Sequence, residues 1–201
     1  MTQEDLSESK LALIIIDMQY NITAQGHGVL KYAEELGVRE GYDYYYDRIQ
    51  NHIIPNIRRL LKYLRGTEIP IIFTKIRSHP FSNGDTKATL EDLDSEGVIL
   101  EDIMPMNDEL VITKNDPDMF EGTGLDPLLR KDDINTLIIA GVLTNECVEA
   151  SVLQAVENDY RVILLEDSTA AFSESIHEIA LKLIRDNKVI ITSTENILDL
   201  L

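Results

Sequence analysis

Basic residues are scarce: 18 Lys and Arg stand against 36 Asp and Glu, a net charge of −18. Nucleic acids and anionic membranes are held by clustered Lys and Arg, so this balance argues against both as partners. Its plain consequence is solubility. Long apolar runs are missing too. The strongest, Leu11 to Ile16 and Thr136 to Val142, fall far short of the roughly 20 residues that span a bilayer. The first ten residues are polar and acidic, unlike a secretory signal. With one cysteine, Cys147, no internal disulfide can form, and a reduced thiol fits the cytoplasmic location these features predict. The sequon Asn21-Ile22-Thr23 is therefore a chance match. Four histidines, at 27, 52, 79 and 177, make a poor metal set, and no metal or other cofactor is expected. Gly122-Thr-Gly124 lacks the third glycine of a dinucleotide fingerprint, and no Walker-type loop exists. Ser173 and His177 lie one helical turn apart without a Gly-x-Ser-x-Gly elbow, so a serine triad is not expected.

What is present is a regular alternation. Continuous apolar runs at Leu11 to Ile16, Ile69 to Ile76, Leu110 to Thr113, Thr136 to Val142, Arg161 to Leu165 and Lys188 to Thr192 read as strands buried on both faces. Between several of them lie helical patterns: Arg48 to Arg65, Glu146 to Asn158, and Ser173 to Asp186. In the last, Ser173 reads as the N-cap with Ile176 and Ile179 inside. The 201 residues predict one domain, 1–201, of doubly wound α/β class. Its sheet has about six parallel strands with helices on both faces. Two stretches break the alternation. Thr23 to Asp47 carries Gly26-His27-Gly28 and Tyr32, Tyr42, Tyr44, Tyr45 and Tyr46; Arg77 to Glu109 is long and mostly polar. Loops of that length overhang ligand crevices at the carboxyl ends of strands. The Tyr-rich segment 42–46 reads equally as a lid or as a subunit interface.

Three residues are candidates for chemistry, and each alone has an ordinary explanation. Asp17 ends the first strand and could simply cap a loop. Lys114 follows the third strand and could be a surface lysine. Cys147 stands where the Thr136 to Val142 strand turns into a helix, a position that favours ionisation of a thiol. Alone it could be a buried filler, a redox thiol or a nucleophile.

Taken together, Leu13-Ile-Ile-Ile-Asp17-Met-Gln19, Val111-Ile-Thr-Lys114 with Phe120 beyond it, and Gly141-Val-Leu-Thr144-Asn-Glu-Cys147-Val148 resemble the isochorismatase-like cysteine hydrolases. The resemblance runs from Leu11 to about Ile191. It implies an Asp17–Lys114–Cys147 triad, a cis peptide at Val142–Leu143, and an oxyanion hole from the Leu143 and Cys147 backbone amides. Gln19, Tyr20, Asn115, Phe120, Thr144 and Asn145 would line the pocket, with Phe120 as an apolar wall. A lysine ammonium beside the thiol should favour thiolate, and the carboxylate can accept the thiol proton. The resemblance further implies homo-oligomers and a small-molecule amide substrate. Isochorismatases proper need no cysteine at this position, so Cys147 favours C–N hydrolysis. Nicotinamidases carry a metal aspartate where this chain has Ile76-Arg77-Ser78-His79-Pro80, which keeps only His79. The segment from Gly26 to Asn56 is similar to the ureide and N-carbamoyl branch. The rival readings are a non-catalytic binding member of the fold, a nicotinamidase- or isochorismatase-type hydrolase, and a redox-responsive thiol protein.

Overall fold

A computed structural model describes Leu6 and residues 9–37, 42–77 and 97–201, with the side chains at 29, 30, 32 and 33 left aside. Six strands, β1 (Leu11–Ile16), β2 (Ile71–Ile76), β3 (Leu110–Lys114), β4 (Thr136–Val142), β5 (Arg161–Ala170) and β6 (Ile190–Thr192), form one sheet. Every pairing is parallel, in the order β3-β2-β1-β4-β5-β6. The chain winds outward from β1 in both directions, so the order reverses between β1 and β4. In such a sheet the crevice beyond the carboxyl ends at that reversal is where ligands bind.

The doubly buried strands arise from sequence that is apolar at every position. Leu11, Leu13 and Ile15 of β1 enter one core cluster, and Ala12, Ile14 and Ile16 enter the other. The first cluster is closed by α3 (Asp43–Arg48), α4 (Ile54–Leu64) and α8 (Thr194–Leu200). The second is closed by α5 (Leu125–Lys131), α6 (Glu149–Glu157) and α7 (Glu174–Asp186). Among the described residues no helix is long and apolar enough to cross a membrane.

Several boundaries differ from the pattern reading. β2 starts at Ile71, because Pro70 has no amide hydrogen and contributes only a carbonyl, to Leu13 at 3.0 Å. β6 starts at Ile190, after Lys188 turns with φ +65°. β5 runs on past Leu165 to Ala170: pairing with β4 jumps from Ile139↔Leu164 to Gly141↔Thr169, so the intervening β5 residues form a bulge. The predicted Arg48 to Arg65 helix begins earlier. α3 runs into a wide π-helical turn, Ile49–Ile53, and then into α4, where Pro55 lacks the amide that a regular turn would use.

The long loops are not empty either. α1 (Tyr20–Thr23) and α2 (Gly28–Glu35) occupy the first. The Tyr-rich segment is partly built into the core. Tyr45 and Tyr46 are buried in the first cluster, and Tyr42 and Tyr45 both meet the edge of Phe172. In the second loop Ile99, Leu100 and Ile103 are buried, and Ile99 bridges to Gln19. His79 lies outside the described residues. On α7 Ser173 does cap Ile176, yet Ile176 and Ile179 face solvent. The inner stripe is His177, Ala180, Leu181 and Ile184.

Candidate active site

All three triad candidates emerge at the carboxyl end of the sheet. Asp17 directly follows β1 in a left-handed conformation, φ +52°. Lys114 is the last residue of β3, and Cys147 lies in a π-helical turn, Thr144–Val148, that leads from β4 into α6. The β1–β4 separation at this point depends on Gly141. Its φ is +119°, and a Cβ there would sit 2.1 Å from the Ile16 carbonyl oxygen, so no other residue fits.

Asp17 and Lys114 form a buried ion pair, Oδ2 to Nζ 2.7 Å, with both side chains wholly removed from solvent. A buried charge pair is tolerated only where further hydrogen bonds complete it. Here Thr74 donates its hydroxyl to Asp17 Oδ1 at 2.7 Å. The Lys114 ammonium also donates to the carbonyls of Asp116 (3.0 Å) and Pro117 (2.9 Å). Ser151 of α6 ties down that loop, accepting from the Met119 amide and donating to the Pro117 carbonyl. The acid, the ammonium and the helix behind the cysteine are thereby one connected unit.

The Cys147 thiol reaches both members of the pair. Burial, then the Asp17 carboxylate, push its pKa up from 9.0 to about 12, while Lys114 pulls in the other direction. The site thus favours the thiol form, against the direction in which the lysine alone would act. Confinement beside a carboxylate outweighs the lysine and the helix start, and Cys147 is a thiol poised next to a base.

The peptide Val142–Leu143 is cis. The Leu143 carbonyl accepts the amides of Glu146 and Val148, on either side of that of Cys147. Thr144 is fully buried and bonds through Oγ1 to His177 Nδ1 at 2.9 Å. Asn145 Oδ1 is buried without a hydrogen-bond partner. Tyr20 packs its ring against His27 and accepts the Glu101 amide at its hydroxyl. Asn115 is exposed beside Lys114.

Two of the pocket candidates have partners within the fold. Gln19 is fully buried and donates both side-chain amide hydrogens to the carbonyls of Ile76 and Gly97 while accepting the Ile76 amide. It clamps the end of β2 and has no hydrogen left for a ligand. Phe120 stacks on Tyr160 with ring centroids 5.8 Å apart. Tyr160 directly precedes β5, and one face of the Phe120 ring is given to this stack. Thr74, Arg48 and His177 went unrecognised in the sequence. The only signal for Thr74 was a polar residue in the otherwise apolar Ile71-Ile72-Phe73-Thr74. A groove of about 470 Å³ among Arg65, Glu109, Leu110 and Leu128 lies at the other end of β2 and β3 and is unconnected with the triad. Among the described residues no His, Cys, Asp and Glu cluster could hold a metal ion.

Residues 11–196 match the isochorismatase domain model. An uncharacterised isochorismatase family protein of Bacillus subtilis, YrdC, is 26% identical over 96% of each chain. The N-carbamoylsarcosine amidase of an Arthrobacter species is 29% identical over 56% of this chain and 47% of its own. Among solved structures, an isochorismatase-like hydrolase from Alkaliphilus metalliredigens superposes with a TM-score of 0.74 over 96% of each chain, at 24% identity. A domain match over nearly the full length, together with the shared fold, establishes that this chain belongs to the isochorismatase family of hydrolases.

Proposed function

We propose that the chain is a cysteine amidohydrolase cleaving the C–N bond of a small amide, N-carbamoyl or ureide compound through a thioester. The observation that carries this reading is the meeting of the Cys147 thiol with the buried Asp17–Lys114 pair. A thiol held protonated needs its base at the moment of attack. Asp17 takes the proton as sulfur adds to the amide carbonyl, and Lys114 offsets the charge that builds up. The tetrahedral oxyanion is received by the Leu143 and Cys147 amides, each such donor being worth about 3 kcal/mol. Collapse expels the amine, which leaves with the proton from Asp17. Water then attacks the thioester carbonyl, gives a proton to Asp17 and releases the acid, and the proton returns to sulfur. The similarity to an N-carbamoylsarcosine amidase supports this substrate class. So does a cysteine that vinyl-ether hydrolysis would not require. The test is ammonia release from a panel of linear amides, N-carbamoyl amino acids and ureides. Turnover by wild type that disappears in Cys147→Ala is expected; no release across the panel, or equal release by the variant, would overturn the reading.

A further inference from the structure

His177 has no part in the triad, yet it is buried and bonded at both ring nitrogens. Its Nε2 lies 3.0 Å from an Arg48 guanidinium nitrogen, and its Nδ1 lies 2.9 Å from Thr144 Oγ1. Guanidinium is a donor only, so Nε2 must accept. The ring is then neutral with its proton on Nδ1, and Thr144 Oγ1 is the acceptor. Arg48 is itself fixed, donating to the Glu166 and Thr169 carbonyls in the β5 bulge. The Glu166 carbonyl, which the ring also faces, already accepts from Arg48 and from the Thr169 hydroxyl, which fills both of its lone pairs. Burial and the Arg48 charge pull the His177 pKa down to about 4, in keeping with a ring that stays uncharged. Thr144 directly follows the cis peptide and shares its turn with Cys147. With Oγ1 accepting from the ring, the hydroxyl proton of Thr144 is free to be donated.

We propose that His177, locked by Arg48 as the Nδ1–H tautomer, is a positioning residue: it orients Thr144 and thereby the Leu143–Cys147 turn that receives the oxyanion. The proposal rests on the amidohydrolase reading for its effect on rate, though not for its chemistry. Loss of the ring loosens the turn without touching the base or the ammonium. Direct loss of an oxyanion donor costs about 100- to 1000-fold, and an indirect loosening should cost less, about 10- to 100-fold in kcat with KM changed less than about threefold.

Two measurements test it. Nitrogen-15 NMR of imidazole-labelled protein at neutral pH should show His177 protonated at Nδ1; an Nε2–H tautomer or an imidazolium would overturn the proposal whether or not a substrate is known. Kinetics of His177→Leu and His177→Asn form the second arm, because the Asn side-chain amide places a donor near the Nδ1 position. The Leu variant should lose kcat and the Asn variant should recover at least a third of it. Cys147 alkylation should stay within twofold of wild type in both. Equal loss in both variants, or slowed alkylation, would make His177 a packing residue only. If wild type turns over nothing in the panel, the amidohydrolase reading falls, while the NMR result still decides the tautomer.

Discussion

The Asp17 carboxylate and the Lys114 ammonium stand 2.7 Å apart with no contact with solvent. Lys114→Ala would leave a carboxylate charge buried without its partner. Stripping one member from such a pair costs about 3–5 kcal/mol. Urea denaturation of this variant should show a loss of that order. Asp17→Asn keeps the Asp116 and Pro117 carbonyls on the lysine, so it should fold and lose at least about 100-fold in kcat for want of a base.

Cys147 should react slowly with iodoacetamide at pH 7. A pKa raised to about 12 leaves roughly one thiolate in 10⁵ at that pH. The sign is that of an acid whose neutral form is favoured by burial, so the alkylation rate should climb with pH and reach no plateau below about pH 11. Lys114→Ala should lower it further by removing the one group that pulls the pKa down. A plateau near pH 7 would contradict the buried-thiol picture.

His177 predicts an acid-side loss of stability. Its pKa falls from 6.5 to about 4 in the folded chain, so the unfolded state binds the extra proton first. The stabilisation from a neutral ring is fully present above pH 6.5 and is lost as pH falls through 4. For a residue this deeply buried the full effect is about 3 kcal/mol. Comparing urea midpoints of wild type and His177→Asn at pH 7 and pH 4.5 isolates it from the titrating carboxylates, since only wild type carries the ring.

Gly141→Ala should be severe, about 4 kcal/mol or more. The added methyl would meet the Ile16 carbonyl oxygen at 2.1 Å while the backbone holds φ +119°. Yield of soluble protein and a thermal scan check this. Normal folding of the variant would mean that β1 and β4 can separate at no cost.

Phe120→Leu checks whether this ring serves the pocket or only the stack. The ring stacks on Tyr160, so KM should stay within about twofold while stability drops by about 1 kcal/mol. A large rise in KM would place Phe120 in the substrate pocket.

The doubly wound sheet was legible because strands such as Leu11 to Ile16 are apolar at every position, a pattern that only burial on both faces explains. Asp17, Lys114 and Cys147 were legible through their flanking motifs. Their electrostatics were misjudged because a helix start contributes about 1 kcal/mol at most sites. Moving a thiol from 9.0 to about 12 reflects about 4 kcal/mol in the opposite direction. Thr74 on Asp17 and Arg48 on His177 were out of reach for another reason. Each contact depends on strand register or on the β5 bulge, and neither leaves a local trace in the chain. Gln19 is spent on the end of β2 because proximity in a motif says nothing about where a side chain points.

Arg48 and His177 come from helices on opposite faces of the sheet, and they meet over its rim at the β5 bulge. The two covers are thereby buckled together beside the reactive turn. Sliding one layer past the other would first have to break this clasp. Amide hydrogen exchange in α3 and α7 should accordingly speed up together when Arg48 is cut back to Ala.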